Sequence, residues 1–402
     1  MHDYGTPTGG AELQVLALRD GLGAAGHEAL LFSSRASLQP GPVEADETCF
    51  GTTRGRLQAV SQLVNPSAAH RLRRVMADFR PDVVHVRMFL AQLSPAILPL
   101  LRDVPALYQV VTYRPICPRY TKLLPDGSPC QVAAGVACLR NRCVTPQSWP
   151  LHIAQLRLWR RWRHVFDAVV TLSQSARAQL EAAGIGPVEV VPNGVPGRPA
   201  RPPLTGPPLV AFAGRLSPEK GVDVLVEAFA AVVARRPDAR LLVAGDGPER
   251  SRLAVLVERR GLGHAVELCG HLGRDELEHR FDAAWVQVVP GLWAEPFGNV
   301  VTEAMARGTA VVASAIGGPA EIIDDGRTGV LVPPGDAGAL GEALAGLVAD
   351  RDRCERLGRA GRSAAHADYA PALVVERFTS IYERLRAATP PAVPALEEPH
   401  AH

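Results

Sequence analysis

Leu209-Val210-Ala211-Phe212-Ala213-Gly214-Arg215-Leu216-Ser217-Pro218-Glu219-Lys220-Gly221 decides the fold. Five apolar residues, too few for a helix, read as a buried strand that stops at a glycine. A polar turn comes next, and from Val222 to Ala234 the apolar residues recur at helical spacing. Strand, glycine turn and helix form the unit of a doubly wound parallel sheet. The unit repeats in both directions. Val83-Val84-His85-Val86, Ala168-Val169-Val170-Thr171 and Leu241-Leu242-Val243-Ala244 read as further buried strands, with amphipathic stretches such as Leu340 to Val348 between strands. Near the middle a Pro/Gly-rich stretch, Pro196 to Pro208, interrupts the alternation and reads as a stiff linker. We therefore expect an α/β chain with two Rossmann-like, doubly wound parallel-sheet domains facing a cleft. Residues 1–195 form the first and 209–370 the second, joined by the linker 196–208. A closing helix over 371–388 and a disordered tail over 389–402 complete the chain.

A chain of 402 residues suits two domains, and 47% apolar residues suffice for two cores. The net charge of +2 gives no overall reason to expect a nucleic-acid partner. No apolar run is long enough to span a bilayer, and no basic-then-apolar leader opens the chain. A cytoplasmic location is the expectation, with a peripheral contact at the inner face of the membrane as a variant of it. Seven cysteines without a leader point to thiols or a metal site rather than to a disulfide framework.

The candidate chemistry lies at strand ends, where open α/β sheets bind ligands. Gly214 follows a strand. Behind it Arg215 offers a planar fork and Lys220 a mobile point charge, both suited to a diphosphate. Glu295 and Glu303 bracket Pro296-Phe297-Gly298-Asn299-Val300-Val301-Thr302. A helix starting near Phe297–Asn299 would offer free N–H groups to an anion. Glu295 at that start would repel a diphosphate, so it should face sugar hydroxyls, and Glu303 could accept hydrogen bonds from a ribose. On these residues alone, surface charges beside a turn and a helix-dipole partner remain open readings. Gly317 and Gly318 after another strand would let backbone approach a ligand, or simply make a tight turn.

The blocks Gly214 to Gly221, Gly245-Asp246-Gly247-Pro248, Glu295 to Ala304 and Asp325 to Asp336 occur in this order. With Thr8-Gly9-Gly10-Ala11-Glu12 and Val191-Pro192-Asn193-Gly194-Val195 they make the chain similar to glycosyltransferase family 4 over nearly its whole length. The resemblance implies the GT-B architecture and retaining transfer of a sugar from a nucleotide-diphosphate-sugar to a glycan, lipid-linked or small-molecule acceptor. A role in polysaccharide biosynthesis is the expectation that goes with it, and because no acidic cluster of metal-ligand type lies near these motifs, catalysis without a metal is expected. The resemblance assigns Arg215 and Lys220 to the donor diphosphate, Glu295 to the transferred sugar and Glu303 to the ribose. It brings a backbone amide of Gly10 to the phosphate from the opposite domain. It adds Asn193, Gly214, Phe297, Gly298, Asn299 and Val300 to the donor-binding set. A non-catalytic sugar-nucleotide binder is the alternative. A Rossmann dehydrogenase fits poorly, because no Gly-x-Gly-x-x-Gly follows the early strands.

The chain departs from the family in two places. It opens at Met1-His2-Asp3-Tyr4, already inside the Gly-Gly loop, so the first strand is expected to be missing. Either the natural product starts upstream or the N-terminal domain is poorly stable. In Gln109-Val110-Val111-Thr112-Tyr113, Val111 stands where the family carries a histidine, with His85 as a substitute or a structural hydrogen-bonder.

Cys117, Cys130, Cys138 and Cys143 crowd one loop and could close a structural zinc site, or stay unliganded. Leu156-Arg157-Leu158-Trp159-Arg160-Arg161-Trp162-Arg163-His164-Val165-Phe166 suits either a membrane-surface helix or one whose Leu, Trp and Phe pack on the next strand with its arginines in water.

Overall fold

A computed structural model describes residues 1–7, 9–38 and 41–388; the expected disordered tail, 389–402, lies outside the described residues. Among the described residues thirteen strands run in chain order: β1 (His2–Tyr4), β2 (Phe32–Ser34), β3 (Glu47–Cys49), β4 (Val84–Val86), β5 (Ala106–Val110), β6 (Ala168–Thr171), β7 (Val188–Val190), β8 (Leu209–Ala213), β9 (Arg240–Ala244), β10 (Val266–Gly270), β11 (Val286–Val289), β12 (Ala310–Ser314) and β13 (Val330–Val332). Every pairing between them is parallel.

The C-terminal half is one six-stranded sheet in the order β10-β9-β8-β11-β12-β13. Its strands read as unbroken apolar runs because helices cover both faces. Leu225, Val226 and Phe229 of the helix Val222–Arg235 meet Leu344, Leu347 and Val348 of the helix Ala337–Ala349 over β8, β9 and β12 in one core. Burial of each such side chain contributes about 1.5–3 kcal/mol. Both helices fall where the apolar spacing places them.

The N-terminal half forms two short sheets, β1-β2-β3 and β4-β5-β6-β7. They continue one another, because the Met1 amine donates to His85 O at 2.6 Å and Arg87 N donates to Met1 O at 3.0 Å. The first strand, expected to be missing, is therefore present as the three residues of β1. Asp3 fixes the segment that leaves β4. Its buried carboxylate accepts from the backbone N–H groups of Ala91, Gln92 and Leu93 at 2.7–2.9 Å.

The two halves are joined twice. The linker forms no helix or strand, yet it is strapped to the C-terminal half: Arg201 pairs with Glu355 at 3.1 Å, and Leu204 is buried. The helix Pro371–Ala388 then returns to the N-terminal sheet, where Phe378, Ile381 and Leu385 pack with Leu18, Leu107 and Val170. The two crossings touch, since Val195 N donates to Tyr369 O at 2.8 Å.

His85 proves structural. Its Nδ1 lies 2.7 Å from Tyr382 Oη on the returning helix, beside Phe378, and burial drives its pKa well down. The helix Trp149–Trp162 turns Trp159 inward, where it meets Phe89, Tyr108 and Phe166, while Arg157, Arg160 and Arg161 are exposed. The zinc expectation is corrected: among the described residues no group of three or more His, Cys, Asp or Glu side chains is arranged to hold a metal. Cys117 and Cys138 are buried, while the Cys130 and Cys143 thiols turn to carbonyls of their own loop, Val132 and Asn141.

Candidate active site

In the C-terminal sheet β8 enters first, β9 lies on one side of it and β11 on the other. That reversal is a topological switch point, and the crevice beyond the carboxyl ends of the two strands is where such a sheet takes ligands. Two loops fill its rim. Gly214–Lys220 leaves β8, and Pro290–Gly298 leaves β11 and feeds the helix Asn299–Arg307, whose first turn is preceded by Gly298 at φ 112°. The expected helix start and the observed one coincide.

The glycines act as spacers between these loops. Gly245, after β9, approaches the β8 loop so closely that a Cβ on it would lie 1.8 Å from Gly214 O. A Cβ on Gly318 would lie 2.1 Å from Phe297 O, and Gly318 N donates to Glu295 O at 2.7 Å. The Gly317-Gly318 pair thus meets the backbone of the Glu295 loop. The close approach anticipated from its sequence is made to protein.

The Arg215 guanidinium is exposed and has no hydrogen bond or ion pair among the described residues. Lys220 Nζ lies 3.0 and 3.1 Å from the two oxygens of Glu295 and 5.7 Å from the centre of the Trp293 ring. Both partners are about one-fifth exposed, so the pair is open to solvent and can be remade around a ligand. Glu303 lies one turn into the helix, half-buried. Burial raises its carboxyl pKa, and Arg274, Arg307 and Arg198 oppose that rise.

The opposite wall comes from the N-terminal half. Asn193 Nδ2 donates to Asn299 Oδ1 at 2.9 Å, and Arg87 Nη2 donates to Asn193 Oδ1 at 2.9 Å. Gly10 opens the helix Gly10–Ala24 directly against Asn299, where a Cβ would lie 2.7 Å from the Asn299 amide nitrogen. Tyr113 Oη donates to Ala294 O at 2.8 Å and the ring meets Trp293 edge-on. Glu321 accepts from Gln174 N and Ser175 N at 2.8 and 2.7 Å, closing the free N–H groups of the helix Gln174–Ala182.

The sequence-derived residues thus gather in two groups on one crevice. Gly214, Arg215, Lys220 and Glu295 lie at the β8 and β11 ends. Gly10, Asn193, Gly298 and Asn299 lie where the halves meet. Phe297 does not offer its ring to the crevice: it is buried against Tyr369. Val300 packs at the edge of the same cluster, its carbonyl accepting from Gln287 Nε2. Sequence reasoning passed over Tyr113, Trp293, Glu321 and the arginines around Glu303. Tyr113 and Trp293 meet only across the cleft, and no local pattern marks such a pair. A cavity of about 400 Å³ lies elsewhere, between the helices Gly10–Ala24, Pro66–Phe79 and Pro371–Ala388.

Two family models match the chain, Glycosyltransferase Family 4 over residues 8–196 and Glycosyl transferases group 1 over residues 198–364. A phosphatidyl-myo-inositol mannosyltransferase of Mycobacterium leprae is 34% identical over 264 residues, a match that covers 63% of this chain and 68% of that one. The chain spans about half the length or less of other curated relatives that it matches, 54%, 46% and 23% of three of them. Sucrose-phosphate synthase from Thermosynechococcus elongatus superposes with a TM-score of 0.73 at 26% identity, with 96% of each chain covered. Anabaena HepE, solved with UDP and glucose, shares the fold at a TM-score of 0.65 and 18% identity, over 95% of this chain and 97% of that one. The architecture is GT-B, two Rossmann-like halves around a crevice.

Proposed function

This chain belongs to glycosyltransferase family 4, and from that premise we propose that it transfers a sugar, with retention, from a nucleotide-diphosphate-sugar to a hydroxyl acceptor. Residues 209–370 take the donor and residues 1–195 the acceptor. The observation that carries this reading is the exposed Arg215 fork, unpaired among the described residues, beside the Lys220–Glu295 pair at the switch point. Arg215 and Lys220 hold the diphosphate, Glu303 the ribose and Glu295 the sugar, while the amides at Gly10 and at Gly298–Val300 face the phosphates. A phosphate entering the crevice competes with Glu295 for Lys220 and frees that carboxylate for sugar hydroxyls.

As the bond from the anomeric carbon to the phosphate oxygen breaks, negative charge grows on the leaving diphosphate. Two side-chain cations and preorganised N–H groups stabilise it there, so no metal is needed for that task. The acceptor oxygen bonds to the anomeric carbon on the face the phosphate leaves, and its proton passes to the departing phosphate oxygen. A glycan, a lipid-linked sugar or a small molecule would each serve as acceptor.

The test is nucleoside diphosphate release across a panel of donors with a sugar acceptor. Lys220→Ala and Arg215→Ala should each lower the rate by about 10²–10³. Parental rates in both variants would contradict the assignment. A second reading, donor binding without transfer, draws on Val111, an aliphatic side chain packed against the Phe297 cluster at the acceptor side. Donor-induced thermal stabilisation without release for any acceptor would favour it.

A further inference from the structure

The helix Gly55–Leu63 is built inside out. Its inward side carries polar side chains: Ser61 is buried, and Gln62 Oε1 accepts from Arg114 Nη2 at 3.2 Å. Its outward positions are apolar. Leu57 is 59% exposed, Val60 64% and Val64, the residue that closes the helix, 46%. Spacings of three and four residues put them on one stripe. Phe50, 52% exposed, extends it, because Asn65 Nδ2 holds Phe50 O at 2.8 Å next to Val64. Scattered exposed aliphatics need no explanation, but an aligned stripe beside a large aromatic does.

Charge says what covers it. Residues 51–165 carry seventeen Lys and Arg against four Asp and Glu, although the whole chain is nearly neutral. Arg54 and Arg56 flank the stripe, and the adjoining helix Trp149–Trp162 exposes Arg157, Arg160 and Arg161. An apolar stripe bordered by arginines fits the interface of a bilayer with anionic headgroups, where the apolar face enters the acyl boundary and the cations meet phosphates. Among the described residues no helix is long and apolar enough to cross a membrane, so contact through this face would be peripheral. We propose that the face formed by Phe50, Leu57, Val60 and Val64 with the neighbouring arginines docks the chain on anionic lipid bilayers.

Vesicle flotation tests this without any activity assay. The full chain should bind vesicles of phosphatidylglycerol and phosphatidylcholine at low salt, and bind pure phosphatidylcholine at least about tenfold less. Leu57→Ser with Val60→Ser, and separately Arg157→Glu with Arg160→Glu, should each weaken binding about tenfold. An unchanged melting temperature shows that the variants fold. No binding to the anionic vesicles at low salt overturns the proposal, and so does binding that ignores the Leu57/Val60 pair. A dimer in solution that dissociates with Leu57→Ser and Val60→Ser would assign the face to a second copy instead. Binding to an anionic polysaccharide without vesicle binding would assign it to a soluble polyanion.

Discussion

Gly318→Ala isolates the geometry of the Glu295 loop from its chemistry. The new Cβ would fall 2.1 Å from Phe297 O and 2.5 Å from Phe297 Cα, where ordinary contacts begin near 3.4 Å. Those neighbours are backbone and cannot rotate away, so the two segments must part by about 1 Å. The overpacking costs about 1–3 kcal/mol. Losing the Gly318 N to Glu295 O bond, 2.7 Å long, costs about 1 kcal/mol more. At about 2–4 °C per kcal/mol for a unit of this size, the melting temperature should fall by about 5–15 °C. Glu295 and its partner Lys220 move with the loop, and a displacement near 1 Å costs about 10²-fold in kcat/KM. The assay is nucleoside diphosphate release well below the melting transition, beside calorimetry of the same sample. Gly23→Ala is the control. Its Cβ would meet nothing within 4 Å on an exposed turn of the helix Gly10–Ala24, and it should stabilise slightly. A Gly318→Ala protein with a lowered melting temperature but parental kcat/KM would refute the link between this glycine and the site.

Arg307→Met should lower stability by about 3 kcal/mol, seen as a drop in the denaturation midpoint. The buried guanidinium holds Glu278 Oε2 at 2.6 Å and Gln287 Oε1 at 2.9 Å, and methionine leaves both without it. Removing this cation should also raise the Glu303 pKa further, which a pH titration of donor affinity would report. His2 is buried, and burial with the nearby Arg87 charge lowers its pKa from 6.5 to about 3. Below pH 6.5 the unfolded imidazole takes a proton that the folded one refuses. The His2 contribution is thus complete above pH 6.5 and is lost as pH falls toward 3, at about 1.4 kcal/mol per unit. Melting temperatures of the parent and His2→Gln measured from pH 8 to 4 should diverge in slope below pH 6.5; parallel curves would count against the burial argument.

The fold was legible where local physics dominates. Leu209–Ala213 forms β8 and Ala168–Thr171 forms β6, because short β-branched runs bounded by turns leave little alternative. Pro371–Ala388 was legible from its amphipathic spacing, but its destination was not, since the Phe378 contact with Leu107 crosses the whole chain. Arg215, Lys220, Glu295 and Glu303 stood out through motif order. Their partners did not: Trp293 over Lys220 and Asn193 against Asn299 are long-range meetings with no spacing to betray them. The cysteine loop allowed two readings, a shared ligand or unliganded thiols. Four cysteines close in sequence suggested a shared ligand, while the fold buries two of the thiols and turns the others to their own carbonyls.

Because the two crossings between the halves lie side by side, tied by the Val195–Tyr369 bond, the molecule is jointed at one corner. A body attached there can swing but hardly slide. Contacts farther from the pivot travel farther for each degree of opening, so those at the outer lips of the crevice set how wide it gapes before a ligand enters.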